Sequence, residues 1–423
     1  MRRSLFGILL LPILVITTSS HAQSGKETKH SANSTDSIPK GTVNSPSISG
    51  QPGDGLYPLK ATPGNTVASV TVLQSTGSSV DATNQTEMHN GVDSIKDDAL
   101  RVIAQDVAAR LAAHQKTVGY WLMSYTQSQC FKNPQLEMNI FLTSMIVDIL
   151  DPVSARAGLD ENLARARLHL SDQIEANGLV RYHGRPDSPT IPSLGCVITP
   201  DADDTALVWR LAGNGKQTLL PRVIEILKSY RTQEGLYRTW LAPRNQYVHI
   251  DPGEDPNPTD VGIQMNLLMF FAKFDAQAAR ALHSALQHAI TEDRIWVYYK
   301  SAPLLPVLRA GDLSKLGYPL HLPQDRLQTP LPEQMVWVAV CQLLARYMAN
   351  EEPPPSYPEI LALIKTIAVD DFFTVRNNPP LFYHNDLTAK NRRFYWSEDF
   401  GYALWLRLYL ENAIHHIDAV PTK

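Results

Sequence analysis

Three carboxylates fall within four residues, at Asp201, Asp203 and Asp204, and an apolar, helix-like run follows them directly. Like charges packed this closely cannot all stay ionised in a dry site, so one of the three acids is expected to keep its proton. A neutral carboxylic acid can protonate an alkene or an epoxide, and the start of a helix stabilises the carboxylate that remains. The cluster therefore predicts a general acid, with Asp203 in the middle.

Aromatic residues occur near this cluster and along the later apolar helices. Their ring faces could stabilise a carbocation, at about 0.5–2 kcal/mol per contact. Aromatic residues at helical spacing also commonly fill protein cores, so the sequence does not separate the two roles. The main candidates for contact with a substrate are Trp209, Tyr237, Trp240, Trp296, Tyr299, Trp337 and Trp396, and Tyr298, Tyr395 and Trp405 are further candidates.

Acidic residues recur at the predicted starts of the apolar helices. If the starts of these helices meet at one end of the fold, the acids form a rim that could contact a substrate. Acids in a first helical turn are also ordinary capping residues, which suit the helix dipole. The predicted rim comprises Glu137, Asp204, Asp260, Glu333 and Asp399.

Apolar and amphipathic helices alternate along the chain from about Ser94 to its end. Segments such as "EMNIFLTSMIVDIL" and "DVGIQMNLLMFFAKF" are apolar on all sides, which is typical of buried helices. Segments such as "LLPRVIEILKSYRT" carry apolar residues on one face only. Stacked hairpins of this kind predict an all-α fold, an α/α toroid of about five to six helical hairpins over residues 94–423, with the apolar helices inside.

The stretch "DADDTA", Asp201 to Ala206, resembles the DxDD motif of class II terpene cyclases, the superfamily that includes squalene–hopene cyclases. The resemblance implies an α/α toroid that cyclises a linear isoprenoid or meroterpenoid after protonation. It implies that Asp203 donates the proton and that Asp201 and Asp204 orient it. The sequence departs from the family in lacking complete QxxxGxW repeats and in having room for one toroid domain where two are usual.

The resemblance also implies a hydrophobic isoprenoid as the small-molecule partner and allows peripheral contact with a membrane. It implies no cofactor, because Mg²⁺ would be needed only for a diphosphate substrate and the sequence contains no DDxxD signature. The formal net charge of −4 and the absence of a long Lys/Arg run argue against a nucleic-acid partner. The oligomeric state stays open at this point.

The first part of the chain reads as an export signal followed by a spacer. Residues 1–22 have a basic start, an apolar run and a small-residue end, which is typical of a secretory signal peptide. Residues 23–93 are rich in Ser, Thr, Gly and Pro and predict a disordered spacer. Export to the periplasm or the exterior would permit a disulfide between Cys130 and Cys196, with Cys341 left over.

Two other functions remain open from the sequence. The chain could be an exported toroid glycan hydrolase or lyase, in which Asp203 works with Asp260 or Asp399 as an acid–base pair. It could also be a toroid scaffold without catalysis, in which the acids are only helix caps. A dry, aromatic-lined cavity at Asp203 would favour cyclisation, an open groove between two carboxylates would favour glycan chemistry, and a filled barrel would favour the scaffold.

Overall fold

The computed structural model describes residues 97–188, 198–247, 250, 253–350 and 355–417. The predicted signal peptide, the predicted spacer and Cys196 lie outside the described residues. Cys130 has an exposed free thiol and Cys341 a buried one. Within the described ranges, no helix combines the length and the apolar character needed to cross a lipid bilayer.

Helices make up most of the described chain, and four short strands accompany them. The helices are α1 (Asp97–His114), α2 (Ile140–Leu150), α3 (Ser154–Ala157), α4 (Asp160–Asp172), α5 (Ala202–Ala212), α6 (Leu220–Ser229), α7 (Val261–Phe274), α8 (Ala276–Ala289), α9 (Leu304–Lys315), α10 (Met335–Ala349), α11 (Tyr357–Asn377) and α12 (Glu398–Ile417). The strands are β1 (Leu122–Thr126), β2 (Gln135–Met138), β3 (Leu381–His384) and β4 (Phe394–Trp396).

Six of the described helices form a closed ring. Each of α2, α5, α7, α9, α10 and α12 contacts the next in that order, and α12 returns to contact α2. The amphipathic helices pack outside this ring: α1 on α12, α4 on α2 and α5, α8 on α7, and α11 on α10 and α12. This arrangement confirms the predicted all-α toroid.

The inner helices are buried because they are apolar on nearly every side. In α2, every residue except Asp148 is buried, and α7 is buried continuously from Val261 to Phe271. Helix α9 is an inner helix that the sequence pattern did not single out, since Arg309 and Asp312 interrupt its apolar run. At Gly311 the backbone of α9 meets α10 so closely that a Cβ atom would lie 2.5 Å from Ala345 Cα.

A small antiparallel sheet was not predicted. Its strand order is β2-β1-β4-β3, so the middle pair joins a strand near Leu122 to a strand near Trp396. Strand β2 leads directly into α2, and β4 leads into α12, so the sheet lies at the end of the ring where these inner helices begin. The sheet thus connects the first and last parts of the toroid beside the acidic helix starts.

Candidate active site

The carboxylate cluster begins inner helix α5. Asp201 is the N-cap residue, with extended backbone angles, and its side chain accepts a hydrogen bond from the backbone N–H of Asp204 (2.7 Å). The backbone N–H of Asp201 donates to Val180 O (3.2 Å), and that of Ala202 donates to Thr239 O (2.8 Å). Two neighbouring turns therefore fix where the helix starts, and with it the direction of the three acids.

Burial makes the three carboxylates hold their protons more tightly than exposed acids do. Asp201 and Asp204 are only 4% and 2% exposed, whereas Asp203 is half-buried. Desolvation raises the pKa of Asp203 to about 6 and that of Asp201 to about 7. Burial, together with the charges of Asp201 and Asp203, raises the pKa of Asp204 well above its ordinary value. All three acids therefore favour the protonated form more than an exposed carboxyl does, and Asp203 is the most accessible of them.

Two partners of Asp203 from other helices favour its carboxylate form. Asn266 on α7 donates a hydrogen bond from Nδ2 to Asp203 Oδ1 (2.6 Å), and the positive charge of Arg309 on α9 acts in the same direction on the pKa. Sequence reasoning missed both residues. The available signal was their polarity within helices that are otherwise apolar, because a buried polar side chain needs a partner.

The buried arginine belongs to an ion cluster that spans the ring. Arg309 Nη1 contacts Asp148 Oδ2 on α2 (2.5 Å) and Asp312 Oδ2 (2.7 Å), and Arg210 on α5 also contacts Asp148. Arg309 is 1% exposed, and its Nη2 lies 2.7 Å from Met145 Sδ. Because α2 and α9 are not neighbours in the ring, this cluster crosses the interior of the barrel.

A cavity of about 510 Å³ opens beside Asp203 at the sheet end of the ring. Its volume lies within the usual range for small-molecule sites, about 300–1,000 Å³. The three predicted acids line it, and so do the predicted residues Trp240 and Tyr299. Further aromatic residues in its wall are Phe141, Tyr182, Tyr298, Tyr383 and Tyr395.

Asp260 positions the part of the wall that carries Tyr298 and Tyr299. It caps α7 through Gly262 N–H (2.8 Å), and its other oxygen accepts from the backbone N–H groups of Val297 (2.9 Å) and Tyr298 (2.8 Å). Burial raises its pKa to about 7 despite these three donors. Asp260 itself does not line the cavity, so its carboxylate holds the wall in place.

Three tyrosines form the side of the cavity next to the sheet. The rings of Tyr383 and Tyr395 stack at 4.4 Å between centroids, and Tyr182 meets both of them edge-on. Tyr299, whose pKa is raised by burial and by the charge of Asp203, lies 6.4 Å from Tyr383 between ring centroids. An aromatic surface therefore runs from the acid toward the sheet. Tyr383 and Tyr395 come from the unpredicted sheet. Sequence reasoning offered Tyr395 as a candidate and missed Tyr383.

The mouth of the cavity is polar and carries both signs of charge. Arg393 lies there with Asp386 and Asp255, and Asn385 and Asn391 line it as well. Nearby His384 also lines the cavity, but its Nδ1 bonds to Asn385 O (2.8 Å) and its Nε2 accepts from Ser301 N–H (3.2 Å). Burial lowers the pKa of His384 to about 4, so this histidine is neutral.

The other predicted tryptophans lie outside the cavity wall. Each is buried and donates its indole N–H to a nearby oxygen, which is the normal way to satisfy a core tryptophan. The pairs are Trp209 with Gly178 O (2.7 Å), Trp296 with Ile290 O (3.1 Å), Trp337 with Asn378 O (2.7 Å) and Trp396 with Thr126 Oγ1 (2.8 Å).

Tyr237 and Asp399 also lie away from the cavity. Tyr237 packs on Phe271 at 5.2 Å between centroids, and Gln264 binds its backbone. Asp399, in the first turn of α12, accepts a hydrogen bond from His114 Nδ1 (2.7 Å), which raises the pKa of the histidine. Neither Asp260 nor Asp399 therefore shares the cavity with Asp203. Among the described residues, no group of three or more His, Cys, Asp or Glu side chains is arranged to bind a metal ion.

Comparison with solved structures gives distant likenesses, which include the following two. No family model and no curated protein matches the chain. A variant of the type II terpene cyclase MstE from Scytonema, in complex with its substrate geranylgeranyl dihydroxybenzoate, is similar with a TM-score of 0.45 and 13% identity, over 78% of this chain and 99% of that one. A protein from Actinoplanes is similar with a TM-score of 0.42 and 13% identity, over 74% of this chain and 99% of that one. Similarity this low transfers no activity.

Proposed function

We propose that this protein is a class II terpene cyclase-like enzyme, in which Asp203 starts the cyclisation of an isoprenoid by protonating it. The observation that carries the proposal is the position of Asp203: a half-buried acid with a raised pKa, in the wall of a cavity lined with aromatic rings. Such an acid can be loaded with a proton and presented to an apolar substrate at the same time.

The surroundings of Asp203 suit both halves of this proton transfer. Burial favours the neutral acid before the reaction, whereas Asn266 and the start of α5 stabilise the carboxylate after it. Transfer breaks the O–H bond of Asp203, forms a C–H bond at the substrate alkene and leaves a cation on the adjacent carbon. Asp201 and Asp204 keep the acid oriented through their cap hydrogen bond.

The aromatic wall would stabilise the cation as the rings form. Along the cavity wall from Asp203, Tyr299 comes first and Tyr383 second. Phe141 and Trp240 also line the cavity. Each ring face can contribute about 0.5–2 kcal/mol to a nearby cation. The stabilising surface therefore extends beyond the point of protonation, as a migrating positive charge requires.

The charges at the cavity mouth favour a substrate with a neutral polar end. Arg393 is accompanied there by Asp386 and Asp255, so a diphosphate would meet repulsion as well as attraction. A linear isoprenoid alcohol or a prenylated phenol could instead hydrogen-bond to Asn385 and Asn391.

Export by residues 1–22 is part of the same proposal, and fractionation of the producing cell would test it.

The first experiment compares the wild type with the Asp203→Asn variant. Both are incubated with farnesol, geranylgeraniol, their diphosphates, squalene and a prenylated phenol, and the extracts are analysed by gas chromatography–mass spectrometry. We expect the wild type to form a cyclic product of unchanged mass, or of one added water, from a neutral substrate. The variant should lose about a hundredfold or more of this activity, because an amide cannot supply the proton.

Asp255→Asn is the matched control, since it makes the same change in a carboxylate at the cavity mouth. It should keep measurable cyclisation. Equal turnover by the wild type and the Asp203→Asn variant would contradict the role of Asp203. If no isoprenoid is consumed but an oligosaccharide is cleaved, the glycan hydrolase or lyase replaces this proposal.

A further inference from the structure

A buried carboxylate, Glu137, lies behind the tyrosine side of the cavity and has no part in the protonation described above. Glu137 is in strand β2, two residues before the cap of α2, and its side chain is largely excluded from solvent. Its Oε1 accepts a hydrogen bond from Tyr182 Oη (2.6 Å) and a longer one from Asn139 Nδ2 (3.4 Å). A buried carboxylate is thus directed at a phenol that faces the cavity.

Tyr182 is held firmly in this arrangement. Asn139 Nδ2 donates to Tyr182 Oη (2.8 Å), and the hydroxyl of Tyr383 also bonds to it. The phenol proton of Tyr182 is therefore directed at Glu137. Since Tyr182 donates to Glu137, Tyr383 is the donor in its bond to Tyr182. Both lone pairs of Tyr182 Oη are then occupied, so Tyr182 can relay a proton from Tyr383 to Glu137 but cannot itself take one from carbon.

The Tyr182–Glu137 pair and Asp203 lie at different parts of the same cavity. The charge of Asp203 raises the pKa of Tyr299. The ring of Tyr383 lies 6.4 Å from that of Tyr299 and 6.4 Å from that of Tyr182, between centroids. A polyene folded along these rings would be protonated near Asp203 and would carry its final cation toward Tyr383. The aromatic surface thus links an acid to a potential base.

We propose that Tyr383, linked to Glu137 through Tyr182, is the base that ends the reaction, an inference that rests on the proposed cyclisation. A C–H bond next to the final cation breaks, and its electron pair forms the new C=C bond. The proton passes to Tyr383 Oη as the proton of Tyr383 moves to Tyr182 Oη and that of Tyr182 moves to Glu137 Oε1. Asp203 has lost one proton and Glu137 has gained one, so the conversion is an isomerisation that needs no further reactant.

His183 gives this proton a route back to solvent. Its Nε2 lies 3.8 Å from Glu137 Oε2, and its side chain lines the cavity as well. The histidine ring also contacts Tyr182 edge-on, at 4.7 Å between centroids. Glu137 can therefore be deprotonated between turnovers without disturbing the aromatic wall.

The test compares the products of the Tyr182→Phe and Glu137→Gln variants with those of the wild type, on whichever substrate the wild type cyclises. Both variants keep Asp203, so substrate should still be consumed. The wild-type alkene should fall by about tenfold as a share of the products, with regioisomeric alkenes or an alcohol from water capture in its place. The control is Tyr120→Phe, a buried tyrosine outside the cavity that packs on His169, and it should leave the product unchanged.

Two results in folded variants would overturn the proposal. One is a product distribution equal to that of the wild type, and the other is loss of substrate consumption, which would assign Tyr182 to binding or protonation. A wild type that consumes no isoprenoid would instead refute the cyclase itself, so the two failures are distinguishable. Circular dichroism establishes that each variant is folded.

A measurement on the wild type alone guards against variants that do not fold. The substrate carries deuterium stereospecifically at the carbon that becomes part of the new double bond. A base fixed at Tyr383 should remove only one of the two diastereotopic hydrogens, so deuterium is wholly retained or wholly lost according to its configuration. Partial loss from both configurations would contradict a single fixed base.

Discussion

Asp203 is subject to two opposing effects, and both are visible in its contacts. Desolvation raises its pKa to about 6, whereas Asn266 and Arg309 limit that rise. The acid must be protonated to act, so turnover should be constant well below about pH 6 and fall by about tenfold per pH unit well above it. A pH–rate profile of kcat for cyclisation would measure this. Turnover that rises with pH through the same range would show that a base, and not Asp203 as acid, limits the rate.

The amide of Asn266 is expected to set the strength of this acid. Replacing Asn266 by Ala removes the hydrogen bond to Asp203 Oδ1, so the carboxylate is less favoured and the pKa rises. The descending limb of the pH–rate profile should therefore move to higher pH, while the plateau rate falls because a weaker acid donates less readily. Asn412→Ala, at a buried amide that accepts from Tyr347 Oη, is the control and should shift neither feature.

At the scale of single residues, the sequence revealed the groups that are adjacent in the chain. Asp201, Asp203 and Asp204 could be predicted as one cluster because a single helix start holds them together. Asn266 and Tyr182 could not be predicted, because they reach the cavity from separate elements whose contacts depend on the closed ring. The position of the acid at a helix start could therefore be predicted, and its partners from other elements could not.

At the scale of elements, a glycine in the first turn of α7 makes room for the cavity wall. A Cβ atom on Gly262 would overlap the ring of Tyr299. Gly262→Ala should therefore displace that ring and reduce cyclisation by about tenfold or change the product, with the chain still folded. Product analysis with circular dichroism would check this. Gly215→Ala, at an exposed glycine with open space around it, should have no effect on either measurement.

The elements also show which patterns can be read without a structure. Helices α2, α7 and α12 are apolar on nearly all sides, and their burial follows from composition alone. Helix α9 contains Arg309, whose burial depends on partners from other helices. The strands are three to five residues long, too short for an alternating pattern to be distinguished from a turn.

At the scale of the whole molecule, the ion cluster of Asp148, Arg210 and Arg309 joins opposite sides of the ring. Asp148→Asn would leave the poorly hydrated guanidinium group of Arg210 without its carboxylate and that of Arg309 with Asp312 alone, at a cost of about 3–5 kcal/mol in the free energy of unfolding. Denaturant unfolding would measure the loss. Glu234→Gln removes the exposed partner of Arg294 instead and should cost about 1 kcal/mol or less. Equal losses in the two variants would mean that the central cluster does not stabilise the ring.

The pairing of β1 with β4 affects when the cavity can form during synthesis and folding. Tyr125 in β1 pairs with Tyr395 in β4, and the cavity is lined by Phe141 from an early segment as well as by Tyr383 and Tyr395 from late ones. Contacts between such distant parts of a chain form slowly. A nascent chain that ends before β3 has the acid of Asp203 but lacks Tyr383 and Tyr395. The acid is therefore synthesised before the surface that would control its cation. The proposed cyclisation becomes possible only after β3 and β4 have been made.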